Sequence, residues 1–292
     1  MVGVKQRTVT VDGHRLAYQD AGAQTDPVVV LVHGLLSASA TWGATIEPLA
    51  ARGLRVLAVD LVGHGASDKP AGRYLLDDFA RSLAGFLDAV GVDSMTLCGH
   101  SLGGAIAVHF GYHYPDRVQR LVLVSAGGLG KEVNLALRAL SVRGAEQLTA
   151  AVMGRRPVQR MLRSQRLHRA LRLPPDRMDN LRRVGRTLMR PDMRSAFFAS
   201  LRGVIAPAGQ RGSFLEMQYL AAQLPTLLIW SAGDMVIPVA HARAAHARLP
   251  GSRLVVFPGS DHEPHRRNAE EFADEVAAFI RSSDPSSHKM GS

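Results

Sequence analysis

The chain reads as an α/β protein, with a mostly parallel central sheet flanked by helices and interrupted by a helical insertion. Three observations carry that reading. Short apolar runs rich in β-branched residues recur, Val28–Val32 being the clearest. Stretches with helical periodicity separate them. A serine between glycines, Gly99-His100-Ser101-Leu102-Gly103, directly follows one of the runs. A run of roughly four to eight apolar residues without alternation fits a strand buried on both faces. Strands alternating with helices at this spacing imply parallel pairing and right-handed crossovers.

The elements follow in order. Arg7–Val11 and Leu16–Gln19 flank Asp12-Gly13, a hairpin-turn signal. Val28–Val32 is bounded by Pro27 and by His33-Gly34, which opens a loop. Thr41–Ala51 is helical, and Val56–Asp60 is a strand that runs into Leu61-Val62-Gly63-His64-Gly65. Leu75–Val90 is the next helix, Met95–Cys98 the strand before the serine, and Gly103–Tyr114 the helix after it. Leu121–Ser125, Thr226–Trp230 and Arg253–Phe257 complete the strands.

A serine between two glycines, at a strand end and a helix start, sits on a turn too sharp for larger neighbours. The turn lifts the hydroxyl clear of the sheet. Serine is a weak nucleophile at neutral pH and needs a base, which in turn needs an acid to fix its tautomer. Asp234, after the strand ending at Trp230, and His262, after the strand ending at Phe257, are the candidates. The chain order is Ser101, Asp234, His262, which is the order such a triad takes in hydrolases of this topology. An Asp at the C-terminal end of a parallel strand also lies at the edge where ligands bind.

On these motifs the chain resembles the α/β-hydrolase family, in its cap-bearing branch of serine esterases, lactonases and C–C bond hydrolases. The resemblance rests on His33-Gly34, Asp60-Leu61-Val62-Gly63-His64-Gly65-Ala66-Ser67-Asp68, Gly99-His100-Ser101-Leu102-Gly103-Gly104, Gly233-Asp234-Met235-Val236-Ile237-Pro238 and Asp261-His262-Glu263-Pro264-His265. It covers about residues 7 to 282, loosely between Gly127 and Leu224. It implies an α/β-hydrolase fold with a helical cap, with Ser101 as nucleophile, His262 as base and Asp234 as acid. It also implies an oxyanion hole from the backbone N–H groups of Leu35 and Leu102. Residues 1–126 and 225–282 would form the two parts of the core, 127–224 the cap, and 283–292 a disordered tail.

Other acids and histidines compete for these roles. Asp60 ends a different strand and has a structural loop role in the matching motif, while Asp261 adjoins His262 too closely to face it. His265 is the alternative base and reads instead as a packing residue. His33 and His100 flank the serine and read as structural, though both enter the candidate pocket set with Trp42, Met161, Phe197, Phe198 and Val236. His64 reads as a loop histidine. No pair among these histidines is placed at ligand spacing on one helix, so no metal is expected at the site, and no cofactor motif is present.

At 292 residues the chain accommodates one large domain with an insertion. A single cysteine, Cys98, excludes an intramolecular disulfide and fits a reducing, cytoplasmic setting. The N-terminus lacks a signal-type apolar segment, and no apolar run reaches membrane-spanning length. Residues 127–224 hold 18 of the 35 basic residues and 6 of the 25 acidic ones, so the insertion carries +12 and the remainder −2. Arg155, Arg156, Arg160, Arg163, Arg166, Arg169 and Arg172 recur at helical spacing, with Val158, Met161, Leu162 and Leu171 on the apolar face. Met178, Leu181, Val184, Leu188 and Met189 outline a second helix. The arginines attract an anionic substrate or form a solvated face; the predominance of Arg over Lys throughout the chain favours the second reading. Without interleaved aromatics they do not read as a nucleic-acid surface. Met153, Met161, Met178, Met189, Met193 and Met217, with Phe197, Phe198, Phe214 and Tyr219, are expected either to roof the serine or to pack the insertion.

The leading functional expectation is hydrolysis of an ester or lactone of an apolar small molecule through an acyl-enzyme; thioesters use the same parts. C–C bond hydrolysis of meta-cleavage products is the alternative, with three departures from that branch: Leu35-Leu36-Ser37-Ala38-Ser39 after His-Gly, His100 before the serine, and Glu263 after the histidine. Ser101 argues against the epoxide hydrolases and dehalogenases of this fold, which use Asp. Perhydrolysis stays open as a side activity. A tailoring or cyclising enzyme and a small-molecule binder on the same scaffold also remain. The expected partner is a small molecule, with the chain a monomer or homodimer.

Overall fold

A computed structural model describes residues 3–163, 183–211, 224–259 and 261–283, with side chains described outside 161–163. Eight strands form one sheet in the order β1-β2-β4-β3-β5-β6-β9-β10. Strands β1 (Lys5–Val11) and β2 (His14–Ala21) make the opening hairpin. Its turn is Asp12-Gly13, both at positive φ (49° and 77°), as a two-residue hairpin turn of matching twist requires. β2 also pairs antiparallel with β4 (Arg55–Val59). From there the sheet is parallel through β3 (Val28–Val32), β5 (Met95–His100), β6 (Val118–Val124), β9 (Thr226–Ser231) and β10 (Arg253–Phe257).

The apolar runs are continuous because both sheet faces are covered. In β3, Val30 and Val32 face a cluster that includes Phe79, Leu83 and Phe110, while Val29 and Leu31 face another that includes Trp42, Ile46 and Phe272. The same alternation sends Leu228 and Trp230 of β9 one way and Leu227 and Ile229 the other. Each such fully buried side chain contributes about 1.5–3 kcal/mol against remaining exposed. Helices α2 (Leu76–Ala89) and α3 (Leu102–His113) cover the first face. α1 (Gly43–Ala51), entered by a 3₁₀ turn over Ser39–Trp42, covers the second with a C-terminal helix over Ala269–Ser282.

Boundaries differ from the sequence expectation where polar residues sit inside strands. β6 starts at Val118 rather than Leu121 because Arg120, buried within it, reaches Ser283: Nε donates to its Oγ at 2.8 Å and Nη2 to its carbonyl at 3.1 Å. Ser283 is thus anchored, and the rest of the expected tail, 284–292, lies outside the described residues. β5 runs on through Gly99-His100, and α3 begins at once with Leu102.

Between β6 and β9 the described residues hold helices α4 (Leu135–Leu140), α5 (Ala145–Met153), α6 (Arg156–Arg163) and α7 (Pro191–Val204), a helical stretch at 183–189, and a small hairpin of β7 (Ile205–Ala206) and β8 (Gly209–Gln210). The arginine row is helical through Arg163; Arg166, Arg169 and Arg172 lie outside the described residues. So do Leu171, Met178, Leu181, Phe214, Met217 and Tyr219. No helix of the described residues is long and apolar enough to cross a membrane.

Candidate active site

Ser101 is the single residue between β5 and α3, and its backbone is strained at φ 54°, ψ −116°. Such a conformation is costly for a side chain with a Cβ and persists only where its surroundings hold it. They do so here from both sides. The Ser101 N–H donates to Val124 O at 3.0 Å, and its carbonyl accepts from Gly127 N at 2.9 Å. The flanking glycines are demanded by contact: a Cβ on Gly99 would lie 2.1 Å from Gly103 O, and one on Gly103 2.2 Å from Val32 O.

His262 and Asp234 come from the loops after β10 and β9. Asp234 Oδ2 accepts from His262 Nδ1 at 2.8 Å. Its other oxygen accepts from the N–H groups of Val236 (2.8 Å) and Ile237 (3.0 Å). Trp230 Nε1 donates to Ile237 O at 3.0 Å and ties that loop to its own strand. Burial pushes the Asp234 carboxyl up, but the His262 hydrogen bond and charge and the two backbone donors outweigh it, so its pKa lies below the usual value. With Nδ1 committed to Asp234, the other ring nitrogen, Nε2, is buried and has no hydrogen-bond partner among the described residues.

Ser101, His262, Leu35 and Leu102 all line one cavity of about 610 Å³. Leu102 opens α3, so its N–H is a first-turn donor with no acceptor inside the helix. Leu35 follows Gly34, on which a Cβ would lie 2.9 Å from Ser101 Cβ. That close approach brings the loop after β3 onto the Ser101 turn. Between β6 and β9 the chain adds Val133, Leu137, Val184, Val204 and Ile205 to the lining. A second cavity of about 250 Å³ shares Leu36, Ser37 and Arg183 with the first.

Of the expected pocket residues, His100 and Val236 line the main cavity. His33 does not: it is fully buried, its Nε2 accepts from Leu61 N at 3.1 Å, and its Nδ1 contacts Gly34 O at 2.8 Å, clipping two loops together. Trp42 is fully buried too, packed on His265 with centroids 4.2 Å apart. Phe198 is buried in α7, edge-on to Phe197, which lines the second cavity instead. In each case the ring lost to the cavity is taken up in helix or loop packing, which burial patterns in sequence do not separate from pocket lining. The Met161 side chain lies outside the described ones.

The remaining candidates hold structure. Asp60 accepts from the N–H groups of Ser39 and Ala66, each at 2.6 Å. Asp261 Oδ1 accepts from Glu263 N at 3.1 Å, and its Oδ2 lies 2.8 Å from Arg267 Nε. His64 is buried beside His33, and burial lowers its pKa to about 3. His100 Nε2 contacts His262 O at 2.7 Å and holds the backbone of His262; burial first, then the His262 charge, lowers its pKa to about 3. His265 packs on Trp42, and neither of its ring nitrogens has a hydrogen-bond partner among the described residues. Among the described residues, none of these histidines joins a cluster able to hold a metal ion.

Sequence reasoning missed Glu263 as a junction. Thr41 Oγ1 (3.2 Å) and Arg183 Nη2 (2.9 Å) both donate to its Oε1, and Arg266 Nη1 to its Oε2 at 2.6 Å. Burial raises the Glu263 pKa, but Arg183 foremost outweighs it and the carboxyl ends well below its usual range. The only sequence signal was its position next to His262.

This architecture, with Ser101 on a strained strand-to-helix turn, is that of an α/β hydrolase. A model of that family, described as the alpha/beta hydrolase fold, matches residues 27–268, and the chain belongs to that family. An uncharacterised protein of Mycobacterium tuberculosis is 36% identical over 289 residues, covering 96% of this chain and 82% of its own. The 2-hydroxy-6-oxo-2,4-heptadienoate hydrolase of Pseudomonas putida is 31% identical over 287 residues, covering 95% of this chain and 97% of its own. A meta-cleavage product hydrolase from Pseudomonas fluorescens superposes with a TM-score of 0.71 at 24% identity, covering 97% of this chain and 99% of that one.

Proposed function

We propose that the protein is a serine hydrolase that cleaves a carboxylic ester or lactone of an apolar small molecule through an acyl-enzyme. In this reading Ser101 Oγ attacks the carbonyl carbon while His262 Nε2 takes its proton. Asp234 holds the imidazole tautomer and stabilises the cation that forms. The N–H groups of Leu35 and Leu102 receive the developing oxyanion, a role in which one donor is typically worth about two to three orders of magnitude in rate. His262 then returns the proton to the leaving oxygen, and water repeats the cycle on the acyl-enzyme. Residues 127–224 act as a cap, and their apolar side chains over the cavity select the substrate.

The observation that carries this reading is the strained Ser101 on the same cavity as a histidine whose Nδ1 is bound to a buried carboxylate. A chain-length series of p-nitrophenyl esters, run on the wild type and on Ser101→Ala, tests it. Serine-dependent turnover with a preferred chain length is expected. Turnover that survives Ser101→Ala would overturn the nucleophile assignment.

A second reading is C–C bond hydrolysis of a 2-hydroxy-6-oxo-dienoate, favoured by the Pseudomonas putida hydrolase at 31% identity over 95% of this chain. The same variants assayed on such a dienoate decide between the two. Turnover on the dienoate with none on any ester selects the second.

A further inference from the structure

His109 and His113 lie one turn apart on α3, and Asp77 lies in the first turn of α2 beside them. An i, i+4 pair on a helix presents both side chains on one face. His109 Nε2 lies 2.7 Å from Asp77 Oδ1, and His113 Nε2 lies 3.9 Å from the same oxygen. The three ligand atoms fall within 4.8 Å of one another. The His109 side chain is 15% exposed and firmly seated, whereas His113 at 44% and Asp77 at 63% open to solvent.

We propose that Asp77, His109 and His113 form a binding site for a divalent cation of the zinc class, bridging α2 and α3. Two imidazole nitrogens and one carboxylate oxygen suit zinc and its transition-metal neighbours. They do not suit magnesium or calcium, which take oxygen ligands. Bonds of about 2.0–2.1 Å in a tetrahedral site put ligand atoms about 3.4 Å apart. That value lies between the two separations to the Asp77 oxygen, so closing the site needs the exposed Asp77 carboxylate to draw back slightly from His109 and the exposed His113 ring to swing toward it. Three protein ligands leave one position for water.

The site is separate from the cavity and independent of the reaction assigned to it. Along α3, His109 is about 12 Å from Ser101 at 1.5 Å per residue. The bound ion would therefore clamp the helix that starts at the nucleophile turn to its neighbour, and its effect is on stability.

The test is calorimetric titration of the chelator-treated full chain with Zn²⁺, paired with thermal melts. One saturable site is expected, with the melting temperature rising by about 5 °C at a hundredfold excess over Kd. His113→Ala and, separately, His109→Gln should each weaken Zn²⁺ binding by at least about tenfold, since even loss of an outer-shell partner costs 10–100-fold. Both variants should keep the serine-dependent turnover of the wild type, and the Zn²⁺-induced rise in melting temperature, taken against each variant's own metal-free value, should shrink. Absence of saturable binding, or unchanged affinity in both variants, would overturn the site.

Discussion

Arg183 Nη2 donates to Glu263 Oε1 at 2.9 Å, joining the segment between β6 and β9 to the residue that follows His262. The same guanidinium reaches Ser37 Oγ at 3.3 Å, on the loop after β3. One side chain therefore touches the two loops that flank the main cavity. Through Arg183 the helix over 183–189 is tied to the residue next to His262.

Glu263→Gln removes the carboxylate and leaves Arg183 and Arg266 without it. The expected cost is about 1.5–3 kcal/mol in stability, the range for hydrogen bonds to charged groups, with a fall in kcat/KM. Arg183→Met should do much the same. In a double-mutant cycle the two effects should be non-additive, coupled by about 0.5–3 kcal/mol, as for residues in direct contact. Strictly additive effects would show that the pair does not act as a unit.

Asp234→Asn keeps the shape of the side chain but cannot stabilise the imidazolium and favours the wrong tautomer. A fall in kcat of about 10⁴-fold is expected, with the fold retained by circular dichroism. Near-normal turnover would move the acid role elsewhere.

Gly103→Ala places a methyl group 2.2 Å from Val32 O and 2.8 Å from His33 O, both backbone atoms with little room to yield. Overpacking of this kind costs about 1–3 kcal/mol or more. Because the clash pushes β3 away from the Ser101 turn, activity should fall further than the lost folded fraction explains. Comparison of active-site titration with the denaturation midpoint checks this.

Stability should fall as pH drops below about 6.5. His64 and His100 are held neutral by burial, with folded pKa values of about 3 for each. Between about pH 3 and pH 6.5 the unfolded chain binds protons there that the folded chain refuses, so stability rises with pH across that window. Two such groups give a slope approaching about 2.7 kcal/mol per pH unit. Urea titrations at pH 4.5, 5.5 and 7.5 measure it, and a flat profile would mean that these histidines accept protons in place. Replacing His64 by Gln should lower the slope by up to about 1.4 kcal/mol per pH unit, the share of one group, since burial also holds His33 and His265 below their usual values and both add to the total.

Much of the frame was legible because it depends on local rules. Val28–Val32 and Arg253–Phe257 were bounded correctly by apolar continuity, and Asp12-Gly13 by turn chemistry. Ser101 was found because a strand-to-helix turn this tight tolerates only glycine at Gly99 and Gly103. Arg120 shows where such rules stop. Its charge hid the start of β6, and its burial depends on Ser283, 163 residues away.

The pocket was read less well. Trp42, His33 and Phe198 have the apolar or aromatic character of pocket residues, yet packing uses them elsewhere. Glu263 carried no signal of its own, since its partners Thr41 and Arg183 come from distant parts of the chain. By itself the sequence determined most of the strands, the hairpin turn and the tight turn at Ser101, because each follows from the steric and hydrophobic character of neighbouring residues. Only the tertiary structure decided which side chains line the cavity and which arginine meets Glu263. Those outcomes depend on how elements far apart in the chain pack against one another, and spacing along the chain does not encode that.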